Sequence, residues 1–255
     1  MAQLSSENLA SWLRTPIGFS SIFRGVATDT RKIANGKNLL FAAIIGPRNN
    51  GHHYCQEAYD KGIRHFLVSQ EPELPADAQL IMVPDVLIAI QTIASEYRKT
   101  WTGEVIAITG SNGKTTVKEW LNEMLFDFTH LFRSPRSYNS QIGVPLSILT
   151  PEMDYQHYFI EAGISMPEEM ARLQNIIAPN WGIWTNLGLA HVEHFENKEA
   201  LGLEKAKLFQ DCSLVIHPWD DLIQKSLENV GFEGKHLTWG TQQDSQLRVL
   251  SSERF

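Results

Sequence analysis

Residues 104–125 join an apolar run rich in β-branched residues, a glycine-bearing turn and a helix-like stretch. Residues 104–109 read as a strand, and 117–125 carry a helical pattern. Between them stand Thr109, Gly110, Ser111, Asn112, Gly113, Lys114, Thr115 and Thr116. A strand, a glycine turn, Gly-Lys-Thr and a helix make a phosphate cradle: the glycines let backbone N–H groups point inward, and the helix aims its positive dipole end at the same anion. In such a loop Lys114 reaches the β- and γ-phosphates and the Thr115 hydroxyl binds Mg²⁺. The general pattern asks for glycine five places before Gly113, where this chain has Ile108. On these residues alone an ordinary strand–turn–helix stays open.

A chain of 255 residues, 43% hydrophobic and 20% charged, can bury one large core or two smaller ones. Its formal net charge of −7, without a dense run of Lys or Arg, argues against nonspecific nucleic-acid binding. The expected partner is a small molecule held by local charge. Cys55 and Cys212 match no metal or redox spacing and read as free thiols of a reducing compartment. The first thirteen residues have no basic start or long apolar stretch, and Ser5 or Ser6 before Glu7 looks like a helix cap. Nothing later approaches the ~20 apolar residues of a membrane span. A cytoplasmic protein is expected.

The pattern changes near Pro84. Before it, strands at 38–44, 64–69 and 79–83 alternate with a helix-like segment at 54–61, which predicts a small α/β domain over 1–84. After it, residues 85–98 carry apolar side chains at 86, 87, 90, 93, 94 and 97, a helical spacing that leads into the phosphate-loop strand. Strands at 157–160, 181–185, 214–216 and 236–239 follow, with helix-like segments such as 167–177 and 200–210. Alternation of this kind predicts a mostly parallel, doubly wound sheet over 85–255, with its ligand site at the carboxyl ends of the strands.

Three residues at or near strand ends stand out. Glu161 closes an apolar strand, where a carboxylate beside a phosphate loop can hold the Mg²⁺ that Thr115 touches, or can cap a helix or face solvent. His191 ends a segment that begins with Thr185 and Asn186, and His194 is an equal candidate. Lys205 lies on a helix-like stretch, where a lysine ordinarily points into water.

With these residues assembled, the chain resembles the Mur ligases, the ATP-dependent family that adds amino acids to the peptidoglycan precursor. Residues 109–116 match that family's phosphate loop, in which an apolar residue at position 108 is normal. The family's first magnesium acid falls on Glu161, its Asn-x-x-x-x-His on Asn186 and His191, and its carbamylated lysine on Lys205. Residues 138–146, with Asn139 and Ser140, and the N-terminal Asp29-Thr30-Arg31, 40–42 and Asn50-Gly51-His52 are similar to the branch that joins D-alanyl-D-alanine to UDP-N-acetylmuramoyl-tripeptide. Residues 48–52 and 134–143 read like the subgroup fused to an alanine racemase.

The resemblance covers about 28–239 and implies a UDP-sugar-binding domain at 1–84 and an ATP-binding central domain at 85–255. It implies ATP in the cradle, with Lys114, His191 and Lys205 serving catalysis and Asn186 serving the nucleotide. Two Mg²⁺ sites follow, one on Thr115 and Glu161, the other on His191 and a carbamate of Lys205. Thr30, Arg31, Asn49, Gly51, His52, Asn139 and Ser140 would meet the UDP-sugar substrate. The family usually has Ser where Thr30 stands, which keeps the hydroxyl. Family members are longer, with more central domain and a C-terminal domain, so the chain is expected to be an N-terminal portion that does not ligate alone. A folylpolyglutamate synthase-like ligase and a non-catalytic nucleotide- or UDP-sugar-binding module are the competing expectations.

Overall fold

The structure is a computed structural model and describes residues 4–151, 154–188 and 194–250. It contains two compact units, 1–101 with 148–153, and 102–147 with 154–255. They part at Trp101 and not at Pro84, because the helix that follows Pro84 packs within the first unit, where Trp12 meets Tyr97 edge to face.

The first unit holds α1 (Ser6–Leu13), β1 (Gly25–Ala27), β2 (Leu39–Ala42), β3 (Ile45–Gly46), β4 (Asn49–Asn50), α2 (Cys55–Asp60), β5 (His65–Val68), β6 (Gln79–Met82) and α3 (Val86–Arg98). Strands β1, β2, β5 and β6 form one parallel sheet in that order, while β3 and β4 make a small antiparallel ladder. The central strands β2 and β5 are apolar along nearly their whole length because both faces of a parallel sheet are covered. Phe41, Phe66, Ile63, Cys55 and Val68 share its core. Ser5 caps α1 by accepting from the Asn8 N–H at 3.3 Å, and Asp85 caps α3 through Ile88 at 2.9 Å.

The second unit holds β7 (Glu104–Thr109), α4 (Lys114–Leu125), β8 (Leu131–Arg133), α5 (Gly143–Ile148, which ends at the division), β9 (His157–Glu161), α6 (Glu169–Ile177), β10 (Trp181–Trp184), α7 (Lys198–Ala206), β11 (Leu214–Pro218), α8 (Asp221–Asn229), β12 (Lys235–Gly240) and β13 (Leu247–Arg248). Its seven strands run parallel in the order β13-β12-β11-β10-β7-β9-β8. The fold class is α/β with parallel, doubly wound organisation. β7, the first strand of the unit, lies inside the sheet between β10 and β9, so the strand order reverses beside it. Crevices form at such reversals, outside the carboxyl ends of the strands. The helix expected at 200–210 closes earlier, with α7 ending at Ala206 and a single 3₁₀ turn at Lys207–Phe209.

Candidate nucleotide and metal site

The register of β7 brings distant residues to one end of the sheet. Ile108 pairs with Glu161 on β9, and Thr109 pairs with Trp184 on β10, so the loops after three adjacent strands meet. Gly110 adopts φ +149° and Gly113 φ +79°. A Cβ on Gly110 would stand 2.0 Å from Thr185 Oγ1, which is why this position takes glycine. Gly113 is the N-cap of α4 and offers no side-chain cap, leaving the first N–H groups of the helix to a ligand.

The loop is tied to the segment after β10. Ser111 N–H donates to Asn186 O at 3.0 Å, and Asn112 N–H donates to Asn186 Oδ1 at 3.0 Å. Asn186 Nδ2 returns a bond to Asn112 O at 3.2 Å. Ser111 Oγ and the backbone of Gly188 exchange bonds of 3.1 and 2.9 Å. Asn186 therefore braces the cradle from outside it. Thr109 is buried and donates its hydroxyl to Ala162 O at 2.8 Å, a structural role, whereas Thr116 is exposed.

Lys114 Nζ donates to Gly110 O at 2.8 Å, and Lys205 Nζ lies 3.4 Å from the same carbonyl. The two amines, 91 positions apart in sequence, converge only because α7 returns over the loop. Burial lowers the pKa of Lys114, with the charge of Glu161 opposing. Lys205 is 1% exposed, and burial, helped by the charge of Lys114, lowers it to about 7. The solvated lysine that a helical position suggests is instead a buried amine near neutrality.

Glu161 is 1% exposed and its carboxylate is held at three points. Thr115 Oγ1 donates to Oε2 at 2.8 Å, Asn139 Nδ2 donates to Oε1 at 2.7 Å, and Lys118 Nζ is 3.5 Å from Oε2. A hydroxyl and a carboxylate oxygen side by side under a phosphate cradle are the hard oxygen donors that Mg²⁺ takes while its remaining positions go to water and phosphate, so the donor set fits that ion. The helix-cap reading of Glu161 is excluded, since its oxygens go to these groups. A cavity of about 170 Å³ opens beside them, lined by Lys114, Lys205, Asn139, Ser140, Ser165 and Glu169 among others. Its walls are cross-linked by hydrogen bonds: Glu169 Oε2 accepts from the Ser165 and Met166 N–H groups at 2.7 and 3.0 Å, and Gln141 Nε2 donates to Glu169 O at 2.9 Å. Sequence reasoning missed Lys118, Gln141 and Glu169. His191 lies outside the described residues.

In the first unit, Thr30 is buried and its carbonyl accepts from Lys61 Nζ at 2.9 Å. Arg31 is exposed and forks onto Asp29 at 2.9 and 3.0 Å, and its hydrogen bond lowers the Asp29 carboxyl. Asn49 is exposed and accepts from Tyr54 OH at 3.2 Å. Gly51 packs where a Cβ would meet Ala43 C and Ile44 N at 2.7 Å. His52 Nε2 accepts from the N–H groups of Ser69 and Gln70 at 3.0 and 3.2 Å, so Nδ1 carries the proton and donates to Asn50 Oδ1 at 2.8 Å. Burial lowers the pKa of His52, in keeping with that neutral form. Both ring nitrogens are spent on holding the loop, and Arg31 and Asn49 are left facing outward.

Residues 108–253 match the model of the Mur ligase middle domain. The chain is 29% identical over 252 residues to the UDP-N-acetylmuramoyl-tripeptide–D-alanyl-D-alanine ligase of Bacillus subtilis, covering 96% of the chain and 54% of that protein. It is 32% identical over 223 residues to the ligase of the same name from Treponema pallidum, covering 82% and 48%. Among solved structures, the fold matches MurF from Acinetobacter baumannii with a TM-score of 0.84 at 21% identity, covering 94% of this chain and 54% of that one. It also matches MurF ligase from Thermotoga maritima, solved in complex with ADP, with a TM-score of 0.74 at 26% identity, covering 86% and 51%. The chain spans about half the length of the curated relatives it matches. The matched segment begins at Ile108 and takes in the cradle, Glu161, Asn186 and Lys205 together, so the chain belongs to the Mur ligase family.

Proposed function

We propose that this chain forms the UDP-sugar-binding and ATP-binding parts of a ligase that joins D-alanyl-D-alanine to UDP-N-acetylmuramoyl-tripeptide in the cytoplasm. In this reading the first compact unit takes the UDP-sugar, with Arg31 and Asn49 as its exposed polar groups, and the second takes ATP on residues 109–116. The tripeptide's terminal carboxylate attacks the γ-phosphorus of ATP, ADP leaves, and the amine of the dipeptide displaces phosphate from the resulting acyl phosphate. Phosphoryl transfer of this kind needs positioning and charge neutralisation more than covalent chemistry from the protein.

The observation that carries the reading is the convergence of Lys114 and Lys205 on Gly110 O beside the Thr115–Glu161 pair. Lys114 supplies a fixed positive charge where β- and γ-phosphates would lie. Mg²⁺, when held by Thr115 and Glu161 and at a second position by His191 and Lys205, supplies neutralisation between phosphates and carboxylate that otherwise repel. Lys205 takes part as a carbamate: its amine, lowered to about 7, is substantially neutral near pH 7, adds to CO₂ and loses a proton. A cation thereby becomes an anionic oxygen ligand. Asn139 and Ser140, on the cavity wall, would orient the reacting carboxylate.

The test is phosphate release by a protein containing this chain, supplied with ATP, Mg²⁺, UDP-N-acetylmuramoyl-tripeptide and D-alanyl-D-alanine. Release that requires both acceptor substrates and disappears in Lys114→Ala supports the reading. Nucleotide binding without coupled release would favour a non-catalytic binding module.

A further inference from the structure

Lys118 lies one turn past Thr115 on α4, on the same face of the helix. It is fully buried, which is unusual for lysine, because a desolvated ammonium costs several kcal/mol unless it is paired and hydrogen-bonded. Its Nζ donates to Ser134 O at 2.8 Å and to Arg136 O, and it faces two carboxylates at 3.5 Å, Glu161 and Glu119. Glu119 is half exposed and already paired with Arg133 at 2.6 Å. Glu161 is buried, and of the two lysines whose charge it feels, Lys114 and Lys118, only Lys118 stands within 4 Å of its carboxylate.

The same amine fixes the loop that reaches the other side of Glu161. Arg136 adopts a left-handed φ of +49°, which costs a non-glycine residue about 1–2 kcal/mol unless its surroundings hold it. Lys118 grips its carbonyl and that of Ser134. Ser134 in turn accepts from the Glu161 N–H at 3.2 Å, and Asn139, further along, donates to Glu161 Oε1. One buried cation therefore joins the phosphate-loop helix, the loop carrying Asn139 and the carboxylate.

We propose that Lys118 is a positioning residue whose ammonium serves as the counter-ion of Glu161 before Mg²⁺ arrives, holding that carboxylate aimed at Thr115. The proposal rests on the reading of Glu161 as a magnesium ligand. Its physical consequence is that Lys118 and the metal are partial substitutes in charge: removing one makes the other matter more. A lysine that only clamped two carbonyls would have no such link to the charge on Glu161.

Thermal unfolding of the full chain separates these cases, using wild type, Lys118→Met, Glu161→Gln and the double variant, each in EDTA and with Mg²⁺-ADP. Lys118→Met should lower the midpoint in EDTA by several degrees, and adding Glu161→Gln should recover part of that loss, because the uncompensated buried carboxylate is gone. Mg²⁺-ADP should raise the midpoint of Lys118→Met more than that of wild type. Additive losses in the double variant, with equal Mg²⁺-ADP shifts in wild type and Lys118→Met, would overturn the proposal. Should Lys118→Met fail to fold, the double variant decides: it folds if the proposal holds, and its failure refutes it. Calorimetry of ADP binding to Glu161→Gln with and without Mg²⁺ tests the metal assignment separately. Retained Mg²⁺ dependence there would remove Glu161 as a ligand whatever the unfolding midpoints show.

Discussion

Replacing either cradle glycine by alanine should separate backbone strain from steric collision within one loop. At Gly110 the φ of +149° costs a residue with a Cβ about 1–3 kcal/mol. The new Cβ also stands 2.0 Å from Thr185 Oγ1 and 3.1 Å from Asn186 N and O. Thr185 cannot yield freely, since its single hydroxyl proton is shared between Asn112 O at 2.5 Å and Thr109 O at 3.3 Å, and displacing it forfeits about 1 kcal/mol. The sum is about 2–4 kcal/mol. At Gly113 the φ of +79° carries the left-handed cost of about 1–2 kcal/mol, but the nearest atom to a Cβ, Thr185 Cβ, is 4.0 Å away. At about 2–4 °C per kcal/mol, Gly110→Ala should lower the unfolding midpoint by on the order of 10 °C and Gly113→Ala by about 4 °C. Thermal unfolding followed by circular dichroism measures both. Equal losses, or a Gly110→Ala protein within about 1 kcal/mol of wild type in urea titration, would refute the collision argument.

Three further outcomes follow from the site and the sheet. Lys205→Arg keeps a positive charge and cannot form a carbamate, so a protein containing this chain should lose ligation as fully as with Lys205→Ala; an active arginine variant would remove the carbamate from the mechanism. His191→Ala should raise the Mg²⁺ concentration needed for half-maximal phosphate release and His194→Ala should not; equal responses would mean that the family motif has been placed on the wrong histidine. His217 donates through Nδ1 to Pro218 O at 2.8 Å and its Nε2 is 2.9 Å from His236 Nδ1, an arrangement that two neutral rings satisfy and two charged rings cannot, and burial lowers both pKa values. Because the unfolded chain then binds more protons below about pH 6.5, stability should fall as pH drops from 7 to 5.5, by at most about 1.4 kcal/mol per unit for each ring; His217→Leu should flatten that slope, and an unchanged slope would exclude the pair as its source.

Local pattern made the phosphate loop, most strands and the cap of α1 legible, because each depends on neighbours in sequence. Glu161 was visible as an acid at a strand end, yet its contact with Thr115 crosses 46 residues and needs the β7–β9 register to exist. Lys205 was reached through family resemblance alone, and Lys118 was not reached at all. On a helix both look like solvated cations, and only the return of α7 over the loop, or of residues 134–136 over α4, takes them out of water. The three-residue strand β8 is too short to show a period. The division at Trp101 was missed because α3, although it follows Pro84, is committed by its apolar face to the first unit. His52 carries the opposite lesson: a motif residue that looks like a ligand contact spends both nitrogens on the loop itself.

Calorimetric titration of ADP into the purified chain, with Mg²⁺ and then with EDTA, bears most directly on the claim that residues 109–116 and Glu161 form a magnesium-nucleotide site. The account predicts one saturable site, at least about tenfold weaker without Mg²⁺ (about 1.4 kcal/mol), and lost in Lys114→Ala with the unfolding midpoint retained. ADP binding that survives Lys114→Ala at full strength, or that is indifferent to Mg²⁺, would contradict it.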